Sequence, residues 1–489
     1  MNNSWQEGLS EKMASVLAYL KDQGVEYADI RVNFIETESY ATENLKVQSL
    51  NTGKNLGFGI RVFIGGSMGF AGSQEFDHMQ ETAITALEIA KATQLTQIHP
   101  VKLAPKPTVK DSYCTPIKTD PFTVPKADKI ELLFSAERKM REAAPTLFRT
   151  SGTLSFRREL KIWADTDGSQ ITQELYESGG GIEATAIGKG EMQVRSYPNS
   201  ARGNYATAGY EYILDLGMVE QAPRVGREAI QLLEAEECPS GYFDLVIDPT
   251  QLTLQIHESV GHPIELDRVQ GHEAGYAGTS FLDSVEPGKF RYASDHVTIV
   301  ADATCPLGLG TYGYDDDGIK AECVPIITKG IFENFISSRD TAGAIGIASN
   351  GTARADGWGR IPIVRMSNIS LMPGDFTKED LIAGVTDGLY LDVNRSWSID
   401  DRRLNFQFAT EIAYEIKDGK LTGKVFKNPI YTGITPVFWS SCDGVANQDS
   451  WRLYGTPNCG KGEPGQMAHV GHGSAPARFR KVKVGVADV

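Results

Sequence analysis

The chain has 489 residues, of which 41% are hydrophobic and 23% charged, with a formal net charge of −15. A length well above the roughly 250–300 residues at which one core stops growing implies two or three domains, and the composition excludes wholesale disorder. The acidic balance lacks the basic footprint that a phosphate backbone requires, so direct nucleic-acid binding is not expected.

In chain order, the opening MNNSWQEGLSEK carries acids and amides where a secretory leader needs a basic segment followed by an apolar one, and the expected location is cytoplasmic. Met13, Val16, Leu17 and Leu20 fall on one helical face, and Gly24 ends that helix. Strand-like runs YADIRVNF, LKVQSL and GIRVFI follow. The apolar stretch from Gly57 contains Arg61 and turns at Gly65-Gly66, which reads as a hairpin and not as a membrane span. A second helix is expected from an N-cap at Asp77, with Ile84, Leu87 and Ala90 inward. The segment from His99 to Pro116, rich in proline, reads as an extended connector.

A second unit opens with a helix over about 125–144, continues with a hairpin whose Asp167-Gly168 turn separates LKIWA from ITQELY, and ends with a helix near 224–235. The remainder is rich in short alternating segments and should be mostly strands. The fold class is therefore α+β and multi-domain, with two N-terminal α+β units built on antiparallel sheets, 1–105 and 116–236, and a strand-rich C-terminal domain, 238–489. The six cysteines, at 114, 238, 305, 323, 442 and 459, are widely separated and read as thiols. The acidic run Asp315-Asp316-Asp317-Gly318 lacks the alternating oxygen ligands of a calcium loop and reads as a turn.

Chemistry concentrates in FDLVIDPTQLTLQIHESVGHPIELD. Asp248 followed by Pro249 is an N-cap with proline at the first helical position, so a helix should carry His257 and Glu258 about two turns in. His262 comes five residues after His257, which on an ideal helix puts the two rings about 140° apart, against about 40° for a four-residue spacing. An undistorted helix cannot chelate with that pair. Pro263 lacks an N–H and its ring collides with the carbonyl of Ser259, while Gly261 adds backbone freedom, so a π-type turn or abrupt helix end is expected between Ser259 and His262. Two neutral imidazoles plus a thiolate or carboxylate can hold Zn²⁺ with one position open for water, and a non-ligating Glu258 can accept that water's proton. The competing reading is a helix end whose histidines only satisfy local hydrogen bonds.

The third ligand is open among Glu265, Asp267, His272, Glu273, His296, Cys442, Cys459, His469 and His472. Cys459 has the best local chemistry, because Lys461 two residues on would favour the thiolate, although a buried structural cysteine is the commoner case. His469 and His472 read as members of a solvated glycine-rich loop and are left out of the metal site.

HESVGH from His257, GTSF from Gly278 and PNCGKG from Pro457 resemble the TldD branch of the TldD/PmbA metallopeptidases, and the likeness extends from the early GFGIRVF segment to the closing RFRKVKVG strand. The resemblance implies a zinc site made by His257, His262 and Cys459, with Glu258 catalytic, acting on small or unfolded peptides. It also implies pairing, either as a homodimer or with a paralogue that lacks the metal motif. Pro263 departs from the Gly or Ala usual in the family. The alternative function is a structural-zinc scaffold or a modulator of a partner such as DNA gyrase, and the peptide-hydrolysing reading would place an extended substrate along a sheet edge.

Overall fold

A computed structural model describes residues 3–200 and 203–485. Helix α1, Asn3–Asp22, lays Met13, Val16, Leu17 and Leu20 against the first sheet at 6% exposure or less. Strands β1 (Tyr27–Glu43) and β2 (Lys46–Ile64) pair along their whole lengths, so the LKVQSL and GIRVFI segments form one strand. β2 turns into β3 (Ser67–Ser73) through Gly65 and Gly66, both at positive φ, as a two-residue hairpin turn requires. Helix α2, Met79–Gln94, buries Leu87 and Ala90 but leaves Ile84 half-buried. Its N-cap is His78 and not Asp77, which lies in a preceding 3₁₀ turn and meets Lys12 at 3.2 Å.

The expected connector is unpaired only in its first part, because Lys110–Cys114 forms strand β4, parallel to a later strand. Helix α3 (Lys126–Ala143) precedes the long hairpin of β5 (Arg149–Asp165) and β6 (Gln170–Gly188), with Gly168 at positive φ in its turn. Strand β7 (Glu191–Tyr197) extends that hairpin, and helix α4 (Met218–Glu234) begins a turn and a half before Arg224, accommodating Pro223 near its start. β1 pairs with β5, so one eight-stranded sheet, ordered β3-β2-β1-β5-β6-β4 along its main path, runs through both N-terminal units.

In the C-terminal part, β8 (Gly241–Ile247) leads into helix α5 (Pro249–Ile256), which is buried on every side. Strands β9 (Asp387–Ile399), β10 (Asn405–Lys417), β11 (Lys420–Lys427) and β12 (Ile430–Ile434) are followed by the hairpin β13 (Arg452–Lys461) and β14 (Gln466–Ser474), and by β15 (Ala477–Val484). The ring β9-β8-β15-β12-β10 closes through a β9–β10 pairing, giving a small barrel that leaves no open edge along that path. The two arginines of β15 are matched by acids, Arg478 by Asp443 and Arg480 by Asp443 and Asp244. No helix among the described residues is long and apolar enough to cross a membrane.

The acidic run is a turn, with Gly318 at positive φ, but it is buried. Asp317 meets Arg61 of β2 at 2.8 Å, Asp316 meets Lys161 of β5 at 2.6 Å and Arg31 of β1 at 3.8 Å, and Asp315 accepts from the backbone of Asp317, Ile319 and Ala353. It therefore clamps the N-terminal sheet to the C-terminal part, which alternation of residue types along the chain could not reveal.

Candidate metal centre

Asp248 caps α5 as expected, its Oδ1 accepting from the Thr250 N–H at 3.0 Å. At His257 the helix widens into a π turn, His257–Gly261, closed by an N–H···O bond of 3.1 Å from His262 to the carbonyl of His257. The extra residue in that turn compensates for the five-residue spacing, and the two rings meet edge to face with centroids 4.8 Å apart. Gly261 is required for a reason other than the expected one: a Cβ there would lie 2.1 Å from the Met366 sulfur.

Because Pro263 has no N–H, the Ser259 carbonyl lacks the donor that a continued α-helix would supply, and the Tyr292 hydroxyl donates to it instead. Ser259 Oγ is held in turn by Gln255 and by Trp439 Nε1, each at 2.9 Å. Tyr292→Phe removes only that hydroxyl, so unfolding in urea should show a loss of about 1–3 kcal/mol for the buried carbonyl left unpaired. Unchanged stability would show that the hydroxyl does not hold the π turn.

Cys459 arrives from 197 residues beyond His262, its Sγ 3.8 Å from His262 Nε2. It lies on β13 opposite Ala468 of β14. Arg365 fastens this hairpin by donating to the carbonyls of Cys459 and Gln466, Lys461 reaches Asp267 at 2.7 Å, and Gly462 N–H donates to Glu273 Oε2 at 3.1 Å. The potential ligand atoms of His257, His262 and Cys459 lie within 4.8 Å of one another. A tetrahedral site with bonds of about 2.0–2.3 Å has edges of about 3.3–3.8 Å, so a small contraction would close the group around zinc.

The electrostatics suit the donor set. Burial pushes both imidazoles below their ordinary pKa and keeps them neutral. Burial alone would raise the Cys459 thiol, but the positive charge of His262, when that ring is protonated, and of Arg365 outweighs it and holds the thiol below its usual range. Lys461, the expected activator, is instead engaged with Asp267 and with Glu265, the latter at 3.4 Å. Each imidazole also has a partner on Nδ1: His262 meets Glu265 Oε2 at 3.0 Å, and His257 meets His472 Nε2 at 2.7 Å. Burial opposes ionisation of Glu265, yet Lys461, His262 and Arg268 hold its carboxyl well below the usual range.

The other candidates lie elsewhere. Asp267 and Glu273 are engaged as described, His272 and His296 are exposed, Cys442 is buried on another strand with its thiol pushed up to about 12 by burial, and His469 pairs with Glu177. Glu258, beside the triad, receives Arg403 Nη1 on Oε2 at 2.5 Å. Arg403 sits at positive φ in the turn between β9 and β10 and was not singled out from the sequence.

Family comparison agrees with this architecture throughout. Residues 28–90, 119–235 and 240–485 match, in order, the models of PmbA/TldA metallopeptidase domain 1, central domain and C-terminal domain. The chain belongs to the PmbA/TldD metallopeptidase family. It is 32% identical over 481 residues to a metalloprotease of Methanothermobacter thermautotrophicus, covering 97% of this chain and 99% of that one. It is 24% identical over 279 residues to a protein of Saccharolobus solfataricus named zinc metalloprotease TldD homolog, covering 56% and 58%. Among solved structures, the fold matches one from Thermotoga maritima described as a modulator of a DNA gyrase (TM-score 0.74, 17% identity, 97% of this chain and 100% of that one). It likewise matches TldE from Thermococcus kodakarensis (0.73, 15%, 97% and 100%).

Proposed function

We propose that this PmbA/TldD metallopeptidase is a zinc-dependent enzyme that hydrolyses small or unfolded peptides, with His257, His262 and Cys459 holding the metal and Glu258 acting as general base. The observation that carries the reading is the convergence of two neutral imidazoles and a low-pKa thiol beside a carboxylate that is outside the ligand group. Zinc bound there would supply a Lewis acid that makes water nucleophilic near neutral pH and polarises a peptide carbonyl. Glu258 takes the proton from the attacking water and can return it to the leaving amine. Arg403, bonded to one carboxylate oxygen, fixes the direction in which the other points.

His257, Glu258, His262 and Cys459 are each no more than 5% exposed. A chain must displace a covering segment to reach them, and that requirement favours thin, extended substrates over folded proteins. We propose further that the subunit acts as a homodimer or beside a paralogue lacking the motif, in the cytoplasm.

The test is metal analysis of the purified chain with cleavage of a random peptide library, before and after chelation. About one zinc per chain is expected, with cleavage lost on chelation and regained on adding zinc. Full cleavage by metal-free protein would overturn the reading. A tightly held metal without cleavage of any peptide would favour the scaffold or gyrase-modulator alternative, which would gain further from steeply salt-dependent binding to duplex DNA.

A further inference from the structure

His472 stands outside the triad, is 1% exposed, and touches the metal centre only through His257. Its other nitrogen, Nδ1, lies 3.1 Å from the backbone carbonyl of Ile369. A carbonyl oxygen only accepts, so His472 Nδ1 must carry the proton of a neutral ring, and His472 Nε2 is then a lone pair. That lone pair faces His257 Nδ1 at 2.7 Å, so Nδ1 of His257 must carry a proton in turn. The remaining nitrogen of His257, Nε2, is left unprotonated and free to bind a metal.

We propose that His472 is a positioning residue for the metal centre, fixing the tautomer and ring direction of His257 through a two-imidazole relay anchored on the Ile369 carbonyl. The inference rests on the zinc reading above. The two imidazole ligands are thereby oriented by different chemistry, His262 by the ionised Glu265 and His257 by a neutral ring. A carboxylate partner adds negative charge and strengthens the imidazole as a donor, whereas a neutral partner supplies direction without charge. With the Cys459 thiolate already contributing one negative charge, the relay limits further neutralisation of the zinc.

The relay is held rigidly. His472 lies on β14 opposite Tyr454 of β13, and its neighbour Gly473 donates its N–H to Ser370 Oγ at 2.9 Å, next to the Ile369 carbonyl. The Ile369 strand pairs in turn with Ile299–Asp302.

Two measurements test the proposal. Zinc affinity, measured by competition with a chromogenic chelator, should fall about 10–100-fold in His472→Leu, which offers no acceptor to His257. It should stay within a few-fold of the native value in His472→Gln, whose amide oxygen can accept the same hydrogen bond. Equal affinity in the leucine variant, or an equal fall in both, would overturn the role. The second measurement needs no folded leucine variant: long-range nitrogen–proton spectra of histidine-labelled, metal-free native protein should show His257 and His472 both as Nδ1–H tautomers. Either ring protonated on Nε2 instead would overturn the relay. A native chain that shows both expected tautomers but binds no zinc would reject the zinc reading and leave the relay's geometry standing as a structural contact only, which also ends its proposed role.

Discussion

Glu258→Gln should lower peptide hydrolysis about 10²–10⁴-fold while zinc content stays at the native level. The substitution preserves side-chain volume and keeps an oxygen for Arg403 Nη1 to bind, so neither the π turn nor the turn that presents Arg403 has cause to move. What is lost is the ability to take a proton. A carboxylate acting only as a structural partner of Arg403 would make a different pattern: reduced stability and at most a modest change in rate. Zinc content is the control, because Glu258 is not in the ligand group, and a variant that lost both metal and activity would place Glu258 among the ligands. Full activity with native zinc would remove it from the reaction.

The local half of this centre was legible in the sequence because its causes are local. Asp248 and Pro249 fix where the helix begins, and the five-residue histidine spacing with Pro263 demands that it widen, as the His257–Gly261 turn does. Hairpin turns were readable for the same reason, since Gly65-Gly66 and Gly168 adopt positive φ where the strands reverse. Cys459 was favoured locally by Lys461, which the fold engages with Asp267 and Glu265 instead, and it was chosen among the open candidates only through likeness to a family, because no spacing rule spans 197 residues. Arg403 gave no signal, since only the β9–β10 hairpin carries it to Glu258. His472 was misread for a physical reason. Its glycine neighbours suggested a solvated loop, but a Cβ at Gly471 would lie 2.1 Å from Asn368 Oδ1 and one at Gly473 would lie 1.8 Å from the Trp451 ring. Those glycines permit close packing, and chain composition cannot distinguish that use from a loop.

The acidic turn gives the largest expected effect on stability: Asp316→Ala should cost about 3–5 kcal/mol in urea unfolding, since it removes one partner from a buried ion cluster. Asp316 is fully buried, and its Oδ1 is 2.6 Å from Lys161 Nζ while its Oδ2 accepts from the Ala355 N–H at 2.8 Å. Burial alone would raise its pKa, but Lys161 and Arg31 overcome that and hold it below the ordinary aspartate value. A depressed folded pKa means that its contribution is fully present above the unfolded aspartate range and is lost as pH falls through the folded value. The deficit of the variant should therefore be constant across neutral pH and shrink only in acid. Lys161 has Asp316 as its short-range anionic partner, whereas Arg31 also donates to the carbonyls of Gly357 and Arg360. Removing the uncompensated ammonium as well, in Asp316→Ala with Lys161→Met, should recover part of the loss, so the double variant should be more stable than the sum of the two single losses by about 1 kcal/mol or more. Strict additivity would mean that the pair is not coupled, and that the turn is held to the N-terminal sheet by Arg31, by Arg61 and by its backbone bonds.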